Sequence, residues 1–256
     1  MRGLTGKTAI VTGGGSGIGR AIAQRLAAEG VTVGVFDIRL EAAQEVVAEV
    51  AAQGGKAMAV KCDITDAVGV VAAVQAFESA LGAGTDILVN NAGWDLPMPF
   101  LKTDEAFRQK VVAINYFGPL NMSHAVAQGM SARKSGRIIY IASDAGRVGS
   151  TGEAVYSGCK GATIAFAKAL ARELARSNVL VNTICPGPTD TPAMASFVGS
   201  GEQGQKIRDA MVRGVPLGRI GVAEDYPGLV AFLASDDASF MTGQTISVSG
   251  GLSMHG

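Results

Sequence analysis

The sequence predicts an α/β fold: one doubly wound, seven-stranded parallel sheet with helices on both faces. Three observations predict it. Short β-branched runs alternate with helical patterns along the chain, which implies parallel strands joined by right-handed crossovers. A glycine-rich turn, GGGSGIG at residues 13–19, separates the first such run from the first helical pattern. The 256 residues are 48% hydrophobic, enough for one large core, and show neither linker nor repeat, so one domain is expected over 1–256.

Thr8–Thr12 (TAIVT) lies between Gly6 and Gly13 and reads as a buried strand. A helix follows, apolar at Ile18, Ile22, Leu26 and Ala27 and stopped by Gly30. Glycines let a backbone approach a pyrophosphate, and a helix N-terminus offers it free N–H groups and a favourable dipole. Val31–Phe36 is the second strand, closed by Asp37, about 20 residues beyond the glycine loop. A carboxylate there accepts hydrogen bonds from a ribose diol and repels a 2′-phosphate. This is the pattern of a Rossmann dinucleotide site that takes NAD rather than NADP. Arg39 works in the opposite sense, and an ordinary strand-end acid is the plainer alternative.

Glu41–Val50 reads as an amphipathic helix, and Ala57–Lys61 as the third strand, leading into Cys62, Asp63 and Ile64. Thr65–Asp66 can cap a helix running to about Leu81. Ile87–Val89 is the fourth strand and ends in NNAG, Asn90 to Gly93. Trp94, Asp95, Pro97 and Pro99 then leave the carboxyl edge of the sheet, where open α/β folds bind ligands. Trp94 there is either a pocket wall or a structural residue. Thr103 can cap a long helix through Val111, Val112, Ile114 and Asn115 to Met130. Arg137–Ala142 is the fifth strand and delivers Ser143, followed by a small-residue loop, Asp144–Val155. The helix carrying Tyr156 runs to about Ser177. Val179–Cys185 is the sixth strand, with PGPTDT at 186–191 behind it. Weak periodicity at about 190–217 suggests a mobile lid of one or two short helices. Ala223–Ala234 resembles a helix and Gln244–Val248 a seventh strand. The tail SGGLSMHG is expected to fold back on the surface or onto a neighbour.

Tyr156 and Lys160 are four residues apart, one turn on one helical face. An ammonium there favours phenolate and is expected to pull the tyrosine down from about 10, so that it exchanges a proton with an alcohol near neutral pH. Ser143 would hydrogen-bond the reacting oxygen. Other chemistries find little support. Formal net charge is zero, with no long basic run for nucleic acid. Cys62, Cys159 and Cys185 lack metal spacing, and His124 and His255 are the only histidines, so no metal is expected. No apolar run approaches the roughly 18–20 residues of a membrane span, and the N-terminus lacks a signal peptide's apolar stretch, so the cytoplasm is expected.

Thr12-Gly13-(three residues)-Gly17-Ile18-Gly19, Asn90-Asn91-Ala92-Gly93, Asn115, Ser143, Tyr156-(three residues)-Lys160 and Pro186-Gly187, in this order, resemble the short-chain dehydrogenase/reductase family over essentially the whole chain. The resemblance implies a catalytic tetrad. Tyr156 would be the acid/base and Lys160 would lower its pKa and hold the nicotinamide ribose. Ser143 would polarise the carbonyl, and Asn115 would hold a relay water. It also implies an NAD site of Gly13, Ser16, Gly17, Ile18 and Gly19, with Asp37 at the ribose and Asp63 and Ile64 at the adenine. Asn90, Ala92 and Gly93 would line the cofactor, and Pro186, Gly187 and Thr189 would grip its nicotinamide end. Trp94, Ser143, Arg147 and Tyr156 would meet a small-molecule substrate, and the assembly would be a homotetramer.

NNAGWD, SDAGRVGSTGEAVYSGCKG, CPGPTDT and SVSGGLSM are similar, more narrowly, to dehydrogenases of cyclic hydroxyacyl-CoA esters. Arg147, Lys206 and Arg213 would then be candidates for the CoA phosphates, or simply solvated loop charges. The alternatives are a 3-oxoacyl-carrier-protein reductase, against which Ser16 and Asp37 speak, a dehydrogenase of a free cyclic or aromatic alcohol, and a silent NAD-binding scaffold.

Overall fold

A computed structural model describes residues 1–199 and 201–254; His255, named above, lies outside them. In chain order the elements begin β1 (Thr8–Thr12), α1 (Gly17–Ala28), β2 (Thr32–Asp37), α2 (Leu40–Ala52), β3 (Lys56–Lys61), α3 (Ala67–Leu81) and β4 (Ile87–Asn90). The second half comprises α4 (Glu105–Val112), α5 (Gly118–Arg133), β5 (Gly136–Ile141), α6 (Ala145–Val148), α7 (Ala154–Leu174) and β6 (Val179–Pro186). After these come β7 (Thr189–Asp190), α8 (Pro192–Val198), α9 (Gly201–Gly214), β8 (Gly221–Val222), α10 (Pro227–Ala234) and β9 (Thr245–Val248).

Seven strands form one parallel sheet in the order β3-β2-β1-β4-β5-β6-β9. The chain builds outward from β1 in one direction and then, from β4, in the other. The carboxyl ends of β1 and β4 therefore flank a switch point, where open α/β sheets leave a crevice. Alternate residues face opposite sides, as strand pleating requires. Ala9 and Val11 pack with Ile22 and Leu26 of α1, Val46 of α2 and Val230 of α10. Ile10, between them, packs with Val74 and Phe77 of α3, Met122 and Met130 of α5 and Ala167 of α7. Both faces are covered, which explains why the inner strands read as near-continuous apolar runs.

The structure modifies several local expectations. Asp104, rather than Thr103, caps α4, its Oδ1 accepting from Phe107 N at 2.7 Å; Thr103 turns its hydroxyl back to Phe100 O. The expected long helix is continuous but broken in character by a π-helical turn, Ala113–Phe117, between α4 and α5. Pro119 accounts for the irregularity. It has no N–H to give the Asn115 carbonyl four residues earlier, and its ring crowds that carbonyl. The loop expected at 144–155 contains α6, and the 223–234 segment is a 3₁₀ turn (Ala223–Asp225) followed by α10, which starts at Pro227. A two-stranded ribbon of β7 and β8 was not expected. As far as Met254 the tail folds back on its own chain, with Leu217 N donating to Gly250 O at 3.1 Å.

Close backbone approach fixes the first turn. A Cβ at Gly19 would stand 2.2 Å from the Gly13 carbonyl oxygen and 2.5 Å from Asn91 Nδ2. Gly19→Ala is therefore expected to destabilise the fold by about 3 kcal/mol, as overpacking does. Gly158→Ala, in α7 with nothing within 4 Å of the new Cβ, is expected to gain about 1 kcal/mol from helix propensity. Urea unfolding of the two variants checks both signs.

Candidate functional site

A cavity of about 1180 Å³ opens along the carboxyl edge of the sheet. Gly13, Ser16, Gly17 and Ile18 form one wall, with Asp37, Asp63 and Ile64 beyond them. Ala92, Gly93 and Trp94 enter after β4, and Ser143 after β5. Tyr156 and Lys160 come from α7, and Pro186, Gly187 and Thr189 from the end of β6. Seven chain segments thus meet at one edge.

At the glycine end, Thr12 Oγ1 accepts from Asn91 N at 3.0 Å and Ala92 N at 3.1 Å. Asn91 Nδ2 returns bonds to Thr12 O at 3.0 Å and Gly13 O at 3.2 Å. These bonds lock the turn after β4 to the glycine loop. Ser16 is the N-cap of α1 but makes no side-chain cap bond, which leaves the helix's first N–H groups available to an anion. Asp37 is buried; its Oδ2 accepts from Gly15 N and its Oδ1 from Arg39 N, each at 3.0 Å. Arg39 lies beside it, Nε 4.0 Å from Oδ1 and Nη2 3.5 Å from Ser16 Oγ. An uncapped helix start, a loop without side chains and a fixed carboxylate suit a dinucleotide. Two residues expected on this surface are not on it. Gly19 is absent from the cavity because its place is taken up by the contact with Gly13. Asn90 is buried inside β4, donating from Nδ2 to Ser123 Oγ at 3.1 Å.

At the other end, Lys160 is only 4% exposed and its Nζ donates to Ile141 O at 3.1 Å. The same nitrogen lies 5.4 Å from the centre of the Tyr156 ring. Burial pulls the Lys160 ammonium down to about 8. The expected lowering of Tyr156 is overturned. Burial raises the phenol above its ordinary value, with Glu153 and Asp95 adding to the rise; the Ser143 hydroxyl works against it. Removal from water outweighs the nearby ammonium.

Asn115 does not reach the cavity. It is fully buried in the π-helical turn, Oδ1 accepting from Trp94 N at 3.2 Å and Nδ2 donating to Trp94 O at 2.6 Å and Val111 O at 2.9 Å. It is still close to the reactive cluster, since a Cβ on Gly93 would be 2.9 Å from Asn115 Oδ1 and 3.4 Å from Lys160 Nζ. Its carbonyl, deprived of a partner by Pro119, accepts from Thr163 Oγ1 at 3.4 Å.

Trp94 lies on the cavity, with Lys110 Nζ 3.8 Å from its ring centre. Arg147, expected to face substrate, does not. Its Nη1 donates to Ser247 Oγ at 2.9 Å and Thr245 O at 3.4 Å, so β9 has claimed the guanidinium. Sequence reasoning missed Asn91, Lys110, Asp95 and Glu153, all on the cavity. Asn91 stood inside the NNAG motif, and the other three are lone charges without a pattern. Asp95 Oδ2 is buried without a hydrogen-bond partner, and burial, reinforced by Glu153, lifts this carboxyl to about 6.

A family model described as "Enoyl-(Acyl carrier protein) reductase" matches residues 13–253. The chain is 36% identical over 251 residues to the 3-oxoacyl-(acyl-carrier-protein) reductase FabG of Vibrio cholerae, covering 98% of this chain and 99% of that one. Among solved structures, it is similar to a short-chain type dehydrogenase/reductase from Mycobacterium marinum, with TM-score 0.91 and 32% identity, covering 98% of this chain and 97% of that one. It is also similar to an NAD⁺-bound xylitol dehydrogenase, with TM-score 0.88 and 32% identity, covering 98% and 100%.

The Asp95 carboxyl holds its proton more tightly in the folded chain than in the unfolded one, where about 3.8 applies. Its contribution to stability is therefore full below about 4 and is lost as pH rises through about 6. Asp95→Asn is expected to raise the thermal midpoint at pH 8 and to leave it nearly unchanged at pH 4.5. Calorimetry at the two pH values checks the difference.

Proposed function

The chain belongs to the short-chain dehydrogenase/reductase family of oxidoreductases, and from that premise we propose an NAD-dependent enzyme that interconverts a secondary alcohol and a ketone. The observation that carries this reading is the meeting of Ser143, Tyr156 and Lys160 in the cavity that also holds the glycine loop and Asp37. Tyr156 exchanges a proton with the substrate oxygen, and Ser143 donates a hydrogen bond to that oxygen. Lys160 supplies positive charge behind the phenol. When bound, the nicotinamide gives or takes the hydride, and its oxidised ring adds positive charge that favours phenolate. Gly13, Ser16, Gly17 and Ile18 would hold the pyrophosphate, and Asp37 the adenosine ribose. Asp63, Ile64, Ala92 and Gly93 would line the cofactor between its ends, with Pro186, Gly187 and Thr189 at the nicotinamide. Gly19 and Asn90 would serve through the backbone that they position. Asn115 would serve the proton path through its freed carbonyl.

For the substrate, we favour a cyclic hydroxyacyl-CoA ester. NNAGWD, SDAGRVGSTGEAVYSGCKG, CPGPTDT and SVSGGLSM resemble 2-hydroxycyclohexanecarboxyl-CoA dehydrogenase, and these stretches surround the cavity. Lys206 and Arg213, exposed on α9, remain candidates for the CoA phosphates, and Lys110 joins them from the cavity wall. Residues 190–217 would act as the lid. The reductase relative from Vibrio cholerae favours a second reading, a 3-oxoacyl thioester reductase. Arg39 beside Ser16 gives that reading its cation at the ribose end. We further infer a cytoplasmic homotetramer built through α5, α7 and β9. Among the described residues, no helix is long and apolar enough to cross a membrane.

Tyr156→Phe is expected to lower turnover of a secondary alcohol about 1000-fold, the scale of lost acid–base catalysis, while NADH binding measured by fluorescence moves less than about two-fold. Wild-type rates in that variant would refute the role. The enzyme is expected to prefer NAD over NADP by about ten-fold or more in kcat/KM, and Asp37→Ala to reduce that ratio by at least about ten-fold, a difference of about 1.4 kcal/mol. A native preference for NADP would overturn the ribose assignment. Because burial holds the phenol protonated, alcohol oxidation should accelerate steadily from pH 6 to 9, and initial rates across that range check it.

A further inference from the structure

Two of the stretches that surround the cavity meet in a way that their separation hides. Asp144, directly after Ser143, is only 3% exposed and has both carboxylate oxygens engaged by the far end of the chain. Its Oδ1 accepts from Ser247 Oγ at 2.5 Å and its Oδ2 from Ser253 Oγ at 2.6 Å. The two serine hydroxyls are 3.0 Å apart, and Arg147 donates to Ser247 Oγ at 2.9 Å. Hydrogen bonds to an ionised group are the strong ones, and here a buried carboxylate is satisfied by a terminal segment that would ordinarily be loose.

The route of that segment is set by two glycines. Gly250 and Gly251 have φ of +62° and +88°, a reversal that side chains resist. Leu217 N donates to Gly250 O, which seats the turn against the end of α9. Beyond the reversal, Leu252 enters the cavity lining, and Cδ1 stands 3.6 Å from where a Cβ on Gly214 would be. Met194, Ile207 and Met211 of α8 and α9 line the same cavity. The result is an apolar wall in a cavity that also holds Asp95 and Glu153, the two carboxyl groups that act on Tyr156.

We propose that Asp144 is a positioning residue. It latches residues 249–254 against the cavity through Ser253, so that Leu252 completes an apolar wall selecting secondary alcohols whose non-reacting part is a bulky hydrocarbon ring. The proposal rests on the dehydrogenase reading for its substrate and on the hydrogen bonds above for its mechanism. Asp144 also donates from its N–H to Pro186 O at 2.9 Å, and Ser143 Oγ accepts from Ala145 N at 3.1 Å. The same turn therefore sets the serine hydroxyl and the substrate wall together.

The test compares cyclohexanol with 2-propanol in the full-length enzyme with NAD, using Ser253→Ala, Ser253→Thr and Leu252→Ala. Trp94, the sole tryptophan, lies on the cavity and reports cyclohexanol binding by fluorescence independently of turnover. Ser253→Ala and Leu252→Ala are each expected to lower the cyclohexanol/2-propanol ratio of kcat/KM at least about five-fold. The loss should fall on KM for cyclohexanol, with its fluorescence Kd rising in step. Ser253→Thr, which keeps the hydroxyl, should retain the wild-type ratio. A ratio and a Kd that stay within two-fold in both alanine variants overturn the proposal, as does a threonine variant that behaves like alanine. Should neither alcohol be oxidised while Ser253→Ala still weakens cyclohexanol binding, the redox reading falls and the latch stands. Should both be oxidised with an unmoved ratio, the latch falls and the redox reading stands.

Discussion

A cationic amine kept out of water is the constraint around which this edge of the sheet is arranged. Lys160 sits on the buried face of α7, in line with Cys159, Thr163, Ile164 and Ala167. A methionine would fill that place without the desolvation penalty, which for a buried ion is several kcal/mol. The penalty is visible in the depression of the amine to about 8. Among the described residues no salt bridge offsets it; the one hydrogen bond recorded for the amine is to the Ile141 carbonyl, the last of β5. Ser143 follows two residues after that carbonyl, so the same strand end places both the partner of the amine and the proposed catalytic hydroxyl.

The neighbouring segments are held by a small number of backbone-directed bonds. Asn91 and Ala92 donate four hydrogen bonds to Thr12 and Gly13, which join the ends of β1 and β4. Asn115 grips both backbone groups of Trp94, so the loop after β4 is tied to the long helix at its one irregular turn. Pro119 produces that irregularity, and the same absence of an N–H leaves the Asn115 carbonyl free for something other than helix. The segments around the cavity are thus joined by side chains that satisfy main-chain groups.

Much of this was legible in the sequence because the signals are local. Parallel strands covered on both faces give continuous β-branched runs, and Thr8–Thr12, Ala57–Lys61 and Val179–Cys185 were delimited to within a residue on that basis. The spacing of Tyr156 and Lys160 needed only a helix. What was not legible depended on contacts between distant segments. Arg147 looks free in a glycine-rich loop, but its partners are at positions 245 and 247. Gly19 belongs to the loop motif, but whether it faces a ligand or a carbonyl is decided by the path of Gly13 and Asn91. Asp104 displaced Thr103 as a cap because adjacent capping residues compete and only the geometry of Phe107 N decides. Pro119 was readable in principle: a proline four residues after Asn115 announces a broken helical bond at that position.

The acidity of Tyr156 is set by burial and by groups from several parts of the chain. Reading along the helix, an ammonium one turn away promises a stronger acid. In the folded chain the phenol is withdrawn from water, Glu153 precedes it by three residues, and Asp95 arrives from the loop after β4. Each disfavours phenolate, and together they outweigh the amine. In the proposed chemistry this has a direction. The chain by itself keeps the phenol protonated, fit to donate to a ketone oxygen. Proton removal from an alcohol needs additional positive charge at the same spot, which an oxidised nicotinamide would bring and a reduced one would not. In the proposed chemistry the charge on the nicotinamide would couple the protonation of the tyrosine to the state of the cofactor, against a background in which burial, Glu153 and Asp95 keep the phenol protonated.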